Sequence, residues 1–163
     1  MVRTIILGIG NPVLRDDSVG IIVAGHFAGR VDTEILTTTG FDILGKLLGY
    51  DRAVIVDGIR TGRDPGTVLE LDPGDIAGGA DFTGTHNLGL GATLDLGYRF
   101  FGREMPAQIR IVAVEVEDTT TFGTLCTAAV AAAVPEAVAR VRRYLNGSGE
   151  GASSAVDPGL REE

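Results

Sequence analysis

The chain has 163 residues and is 44% hydrophobic, which is enough apolar sequence for a soluble domain with a sizeable core. Its formal net charge of −8 argues against a nucleic-acid partner, because phosphate contacts require a basic surface. Cys126 is the single cysteine, so the sequence excludes an intramolecular disulfide and a cysteine metal cluster.

The sequence predicts neither a signal peptide nor a membrane span. The N-terminal apolar run is short and is broken at Gly8–Pro12, and no stretch reaches the ~18 apolar residues that a membrane span requires. We therefore expect a cytoplasmic protein without a membrane partner; a monomer is a separate expectation. We also expect a single catalytic domain over residues 1–145, followed by a Gly/Ser-rich, disordered tail over residues 146–163.

The predicted elements of the N-terminal part alternate between strands and helices. In chain order they are a buried strand at Thr4–Ile9, a helix at Ser18–Phe27, a strand at Glu34–Thr39, a helix at Phe41–Leu48 and a buried strand at Ala53–Val56. Asp57 is predicted to end the last of these strands.

The alternation continues toward the C-terminus. The pattern predicts an edge strand at Gly66–Leu71, an irregular Gly-rich segment over residues 73–85, a helix at Asn87–Phe101, a strand at Ile109–Val116 and a helix at Thr127–Leu145. Pro135 is expected either to kink the last helix or to begin a new one. This order favours a three-layer α/β fold of the phosphorylase/hydrolase-like kind, in which helices flank a central parallel or mixed sheet on both faces.

Two acidic residues and one of the two histidines lie near the carboxyl ends of predicted strands. Asp17 follows the first strand by way of a Gly-rich turn, Asp57 ends the third, and His86 precedes a predicted helix. Ligands bind at the carboxyl edge of such sheets, so the three side chains could converge there. Carboxylate oxygens and one imidazole suit a divalent transition metal.

Each of these three residues also has a purely structural interpretation. Asp17 could cap the helix that follows it, and Asp57 before Gly58 could form a turn. His86 could simply make a hydrogen bond within its loop. Spacing alone leaves these alternatives open.

Other catalytic chemistries find less support in the sequence. Gly8-Ile9-Gly10 lacks the third glycine of a dinucleotide-binding motif. Ser18 is the only serine before the tail, which opposes a Ser-His-Asp hydrolase. Cys126 is better explained as a small core residue than as a nucleophile. Glu115 and Glu117 point to one face of a predicted strand, where they line the same edge or face solvent.

Three motifs together resemble the hydrogenase maturation protease family (peptidase family A31). Leu7–Gly20 is similar to the family's N-terminal signature, in which a Gly-x-Gly-Asn turn leads to an acidic pair. Val54–Gly58 is similar to its second motif, a strand that ends in Asp, and Thr85–Leu90 to its His-x-Leu-Gly segment. The resemblance covers roughly residues 4–145. Ser18 departs from it by replacing the commoner Gly after the acidic pair.

The resemblance implies an endopeptidase that removes a C-terminal peptide from the precursor of a nickel-containing hydrogenase large subunit. Cleavage would follow nickel insertion, and the nickel would be recognised within the precursor. Motif matching assigns the metal ligands to Asp17, Asp57 and His86. Another divalent metal is expected to occupy this site in vitro.

The expected mechanism is hydrolysis by an aspartate-dependent protease, without a covalent intermediate. A metal would polarise the scissile carbonyl or activate water, and Asp16 or Asp17 would act as the base. We predict that Asn11, Gly40 and Asp42 bind substrate, since residues 39–42 resemble a segment that the family uses near its substrate groove.

Two alternatives remain open from the sequence. A peptidyl-tRNA hydrolase also opens with a strand and Gly-x-Gly-Asn-Pro, but the stretch Asp16–Ile22 lacks its catalytic histidine and the net charge opposes tRNA binding. A non-catalytic, nickel-binding hydrogenase assembly module would use the same three ligands for docking alone.

Overall fold

A five-stranded mixed sheet forms the centre of the computed structural model, which describes residues 1–37, 40–77 and 89–147. The strands are β1 (Thr4–Ile9), β2 (Asp32–Leu36), β3 (Arg52–Ile59), β4 (Val68–Leu71) and β5 (Gln108–Glu115). Their order in the sheet is β2-β1-β3-β5-β4. The first four strands of this order run parallel, and β4 pairs antiparallel to β5 at one edge.

Five α-helices and two short 3-10 turns accompany these strands within the described residues, and the last helix follows the last strand. The helices are α1 (Val19–Gly25), α2 (Phe41–Leu47), α3 (Pro73–Ala77), α4 (Leu90–Phe101) and α5 (Ala128–Asn146). The 3-10 turns span Asp16–Ser18 and Gly102–Glu104. No helix in this part of the chain is long and apolar enough to cross a membrane.

The helices form a layer on each face of the sheet, which confirms the predicted three-layer α/β architecture. Successive side chains of a strand point to opposite faces, so each central strand contributes to both cores. One core joins α1 and α5 to the sheet through Val19, Val23, Val54, Val56, Val112, Val114, Val130 and Val138. The other joins α2, α3 and α4 through Ile5, Leu7, Ile43, Leu47, Ile55, Ile76, Leu94 and Ile111.

The predicted order of the elements is correct, and the differences lie at their ends. The helix predicted at Ser18–Phe27 divides into the 3-10 turn and the shorter α1, and the strand predicted at Glu34–Thr39 lies earlier, as β2. Residues 73–77, predicted to be irregular, form α3. Pro135 lies inside the continuous helix α5 and does not begin a new one. The predicted tail lies outside the described residues from residue 148 onward.

One difference concerns Asp57, which lies inside β3 instead of ending it. Strand β3 continues to Ile59 because β5 pairs with it along its whole length, including Asp57 with Ala113. Pairing with β1 stops earlier, at Gly8 and Val56. Asp57 is therefore paired with β5 on one side. On the other side it lies just beyond the last residue of β3 that pairs with β1.

Candidate active site

The candidate site lies at the carboxyl edge of the sheet, where β1 ends beside β3. The turn that follows β1 contains Gly10, whose φ of 152° suits glycine. A side chain at this position would also meet the carbonyl oxygen of Asp17 at 1.9 Å. The backbone of this turn therefore lies directly against the 3-10 turn Asp16–Ser18.

Asp17 is held at this edge by a backbone hydrogen bond. The residue is 7% exposed, and the N–H of Asn11 donates to its Oδ2 over 2.9 Å. The Oδ1 of Asn11 accepts in turn from the N–H of Val13, 3.1 Å away. Since Asn11 follows β1 closely, these contacts fix the Asp17 carboxylate relative to the sheet.

Gly20 allows α1 to pack closely on the strands beside Asp57. A Cβ at this position would lie 2.4 Å from the carbonyl oxygen of Val56, 2.6 Å from that of Ile9 and 3.0 Å from the Cα of Asp57. Helix and sheet thus touch backbone to backbone. The glycine brings the turn that carries Asp17 next to the strand that carries Asp57.

Asp57 is a buried carboxyl with an unusual environment. The residue is 3% exposed, and its Oδ1 accepts a hydrogen bond of 2.7 Å from the N–H of Gly58. Its Oδ2 has no hydrogen-bond partner among the described residues. Burial raises the pKa of Asp57 well above 3.8, and the charge of Asp17 raises it further, against the lowering effect of the Gly58 N–H.

Asp16 points away from this pair and into the protein. It is fully buried, and its Oδ2 accepts from the N–H groups of Glu117 and Asp118, each over 2.9 Å. Thr127 donates to the same carboxylate through its N–H, 2.7 Å from Oδ1, and through its hydroxyl. These contacts enclose both oxygens of Asp16.

The third predicted metal ligand, His86, lies outside the described residues. Within residues 1–37, 40–77 and 89–147, no group of three or more His, Cys, Asp or Glu side chains is arranged to hold a metal ion. Of the three predicted metal ligands, Asp17 and Asp57 therefore lie within the described residues. The orphaned Oδ2 of Asp57 and its carboxylate neighbour have the oxygen chemistry that a divalent cation binds.

The predicted substrate-binding residues lie along the same edge. Asn11 contacts Asp17 directly, as above. Gly40, with a φ of 110°, and the exposed Asp42 lie on the connection from β2 to α2 and in the first turn of α2. This connection leaves the sheet beside the turn after β1, since the N–H of Gly10 donates to the carbonyl of Leu36 over 3.0 Å.

The structure identifies a fully buried acid on β5 whose partners could not be read from the sequence. Glu115 is 1% exposed and accepts from the N–H and hydroxyl of Thr61, over 2.8 and 2.7 Å, and from the N–H of Gly62 over 3.0 Å. It thereby fixes the loop after β3. Glu117, the other glutamate of the predicted pair, is exposed.

Ser18 and Cys126 both lack the features of a nucleophile. The Ser18 hydroxyl donates to the carbonyl of Arg15 over 2.6 Å. Burial is the main cause that raises the pKa of the Cys126 thiol, so the reactive thiolate is disfavoured at neutral pH. Cys126 packs against the core that joins α1 and α5 to the sheet, in agreement with its predicted structural role.

The chain matches a known protein family and two curated relatives. The family model for hydrogenase maturation proteases of the HycI type matches residues 36–143. The hydrogenase 2 maturation protease of Escherichia coli K12 is 32% identical over 122 residues, which cover 69% of this chain and 72% of that protein. The hydrogenase expression/formation protein HupD of Rhizobium leguminosarum is 25% identical over 90% of this chain and 76% of its own length.

Solved structures agree with these sequence matches. The hydrogenase maturating endopeptidase HybD from Escherichia coli superimposes with a TM-score of 0.76 at 26% identity, covering 88% of this chain and 92% of that one. The fold of the [NiFe] hydrogenase maturation protease HybD from Thermococcus kodakarensis matches with the same TM-score at 24% identity, over 88% and 99% of the two chains. The chain therefore belongs to the hydrogenase maturation protease family and is a peptide-bond hydrolase.

Proposed function

We propose that this enzyme removes a C-terminal peptide from the precursor of a nickel-containing hydrogenase large subunit, after nickel has been inserted. The matched relatives are named for the maturation of hydrogenases, which supports the substrate class. The observation that carries the proposal is the buried Oδ2 of Asp57. It lies beside Asp17 at the carboxyl edge of the sheet and has no hydrogen-bond partner among the described residues.

A buried carboxylate oxygen without a donor is costly, and this cost requires an explanation. A cation between Asp17 and Asp57 would offset the repulsion between their charges and give the oxygen a partner. We propose that Asp17, Asp57 and His86 hold the nickel that the precursor carries, so that the metal enters as part of the substrate. Once bound, it would supply positive charge that polarises the scissile carbonyl.

The contacts of the acidic pair suggest how its two members divide their roles. Asp16 is enclosed by donors, so a water molecule can reach its oxygens only if the segment after β5 opens. Asp17 lies at the edge of the sheet with the N–H of Asn11 on its Oδ2. We therefore favour Asp17 over Asp16 as the base that accepts the proton of the attacking water.

Direct attack by water is the reaction that these residues fit best. The hydroxyl of Ser18 is committed to a backbone carbonyl, and burial keeps Cys126 in its thiol form. Neither side chain is therefore a good covalent nucleophile. We propose that the precursor peptide lies along the carboxyl edge, from Asn11 toward Gly40 and Asp42. A cytoplasmic location and a monomeric state remain predictions.

Intact-mass spectrometry of candidate large-subunit precursors tests the function directly. Each precursor is incubated with the full-length protein, once loaded with nickel and once without it. We expect nickel-loaded precursor alone to lose a C-terminal peptide whose mass identifies the cleaved bond. Cleavage of both forms at equal rates would remove the nickel requirement. Binding of nickel-loaded precursors without any cleavage would overturn the proposed reaction.

Substitutions then test the three assigned ligands. We expect Asp17→Asn, Asp57→Asn and His86→Ala each to lower the cleavage rate by at least on the order of 100-fold, since each removes a group from the reacting centre. Asp64→Asn serves as a matched control, because Asp64 is an exposed aspartate in the loop after β3. Full activity in any of the three variants would contradict the role assigned to that residue.

A further inference from the structure

We propose that Asp16 is a positioning residue, whose buried carboxylate locks the turn that carries Asp17 against the segment over residues 116–127. This inference rests on the proposed function and deepens it. It assigns to the first member of the acidic pair a task different from proton transfer. The two oxygens of Asp16 would hold the turn in place, while Asp17 acts on the substrate.

The carboxylate of Asp16 is surrounded by hydrogen-bond donors. Three backbone N–H groups, of Glu117, Asp118 and Thr127, and the Thr127 hydroxyl lie 2.7 to 3.0 Å from its oxygens. Every one of these is a donor. A carboxylate that accepts several such bonds in the interior has a partner at each oxygen and forms a strong joint between the segments it connects.

Thr127 supports this interpretation, because it departs from the usual behaviour of its position. It is the residue that precedes α5, where a threonine side chain normally accepts a hydrogen bond from the first turn of its own helix. Its side chain makes no such cap here and contacts Asp16 instead. The start of α5 is thus tied to the turn across 111 residues of sequence.

Backbone contacts extend the same joint along the turn. The N–H of Asp16 donates to the carbonyl of Asp118 over 2.9 Å, and that of Arg15 donates to the carbonyl of Thr121 over 3.2 Å. Leu14 forms an isolated β-bridge with Phe122. The turn and the segment over residues 116–127 therefore pair like two short strands, and the carboxylate of Asp16 lies at one end of the pairing.

Asp17 is consequently held from two sides. On one side, Gly20 brings α1 against β1 and β3, and the N–H of Asn11 bonds to the Asp17 carboxylate. On the other side, the joint at Asp16 fixes the residue immediately before it. Because effective catalysis requires groups to be held within a fraction of an ångström, we infer that loosening this joint displaces Asp17 from Asp57.

Three full-length variants test the role of this joint. Thr127→Val keeps the backbone N–H and the shape of the side chain but removes the hydroxyl donor. Thr127→Ser keeps both donors and is the matched conservative variant. Asp16→Asn directs an amide group toward an environment of donors, where at least one N–H must lose its acceptor. Thermal melts define the temperature at which each variant is fully folded, and all other measurements are made below it.

The first readout is independent of cleavage. Amide hydrogen exchange is followed at Asn11, whose N–H bonds to Asp17 and does not touch either substituted residue. Gly10, whose N–H bonds to β2 through Leu36, is the internal reference. We expect Thr127→Val and Asp16→Asn to accelerate exchange at Asn11 by about tenfold, with Gly10 unchanged and Thr127→Ser like the wild type.

The second readout is cleavage of nickel-loaded precursor. We expect kcat to fall on the order of 100-fold in Asp16→Asn and less in Thr127→Val, with KM unchanged and with recovery in Thr127→Ser. Wild-type Asn11 exchange and wild-type kcat in both disruptive variants would overturn the proposal. If the wild type itself cleaves no precursor, the proposed function fails, and exchange at Asn11 still decides whether Asp16 positions Asp17.

Discussion

The carboxylate of Asp17 lies close enough to Asp57 to raise the pKa of that buried carboxyl, in addition to the larger effect of burial. Burial and the neighbouring charge of Asp17 both disfavour the charged form of Asp57, so ionisation of Asp57 destabilises the fold. Such an arrangement is typical of a site whose residues serve a ligand or a reaction. Substitution of Asp57 should therefore change the stability of the protein even when no substrate is bound.

The first prediction concerns the stability of Asp57→Asn. The folded pKa of Asp57 lies above its unfolded value, so the destabilisation is absent below the unfolded pKa and grows as the pH rises toward the folded one. At pH 7 we expect Asp57→Asn to be more stable than the wild type, with a Tm that is higher by roughly 2–4 °C for each kcal/mol gained. Thermal melts should show this gain shrinking as the pH falls toward about 4, the unfolded pKa, and absent below it.

The exposed Asp64 provides the control for this measurement, and Asp64→Asn should leave the melting temperature unchanged at every pH. A divalent cation should raise the Tm of the wild type and have a smaller effect on Asp57→Asn, because binding to the folded state alone is stabilising. An Asp57→Asn protein that is less stable than the wild type at pH 7 would show that the carboxyl is not under strain.

The second prediction concerns the close packing of α1. Gly20→Ala places a Cβ 2.4 and 2.6 Å from two strand carbonyl oxygens, so helix and sheet must separate. We expect a loss of about 2–3 kcal/mol, by analogy with other overpacked cores, together with weaker cleavage. Gly25→Ala, in the same helix, meets nothing within 4 Å and should be neutral or slightly stabilising. Urea denaturation of the two variants provides the comparison, and equal stabilities would contradict it.

Local sequence signals were sufficient to predict most of the fold and to place two residues at the candidate site. Apolar runs and helical spacing identified the strands and helices, and the rule that ligands bind at strand carboxyl ends directed attention to Asp17 and Asp57. Both residues lie at that edge, buried and close together. His86 remains a prediction, since it lies outside the described residues.

Contacts between distant parts of the chain could not be predicted in the same way. Asp16 and Asp17 are adjacent acids with similar local surroundings, and only the fold gives Asp16 its partners 101 to 111 residues away. The extension of β3 through Asp57 likewise depends on pairing with β5. Hydrophobic periodicity predicts which face of a helix or strand is buried, but it does not predict which loops come into contact beyond the end of that helix or strand.

The third prediction concerns Glu115, which fixes the loop after β3 by accepting three hydrogen bonds from Thr61 and Gly62. Glu115→Gln keeps one oxygen for the two N–H groups of Thr61 and Gly62, but it removes the charge that strengthens these bonds and places an amide group opposite the Thr61 hydroxyl. We expect a loss of about 2–3 kcal/mol in urea denaturation. The exposed Glu117 is the matched control, and Glu117→Gln should change stability by less than about 0.5 kcal/mol. Similar losses in both variants would contradict the bonding role of Glu115.

The last prediction is a pH dependence located in the segment after β5. Hydrogen bonds from the Thr121 hydroxyl, and then from the N–H groups of Thr121 and Thr120, lower the pKa of Asp118 to about 2, and Arg15 contributes to the same effect. Because the folded pKa lies below the unfolded value of about 3.9, the ionised carboxylate stabilises the fold above pH 4. That contribution is lost as the pH falls through about 2.

Two variants separate this contribution from the rest of acid denaturation. Asp118→Ala removes the acceptor, so it should be less stable than the wild type at pH 7, and the two denaturation curves should converge near pH 2. Asp118→Asn keeps an oxygen for the N–H groups of Thr120 and Thr121, which bond to Oδ1 over 3.1 and 3.0 Å. At pH 7 its stability should therefore lie between those of the wild type and Asp118→Ala. It should not show the loss of stability that protonation of Asp118 causes in the wild type near pH 2. A gap between Asp118→Ala and the wild type that persists unchanged at pH 2 would exclude ionisation of Asp118 as its cause.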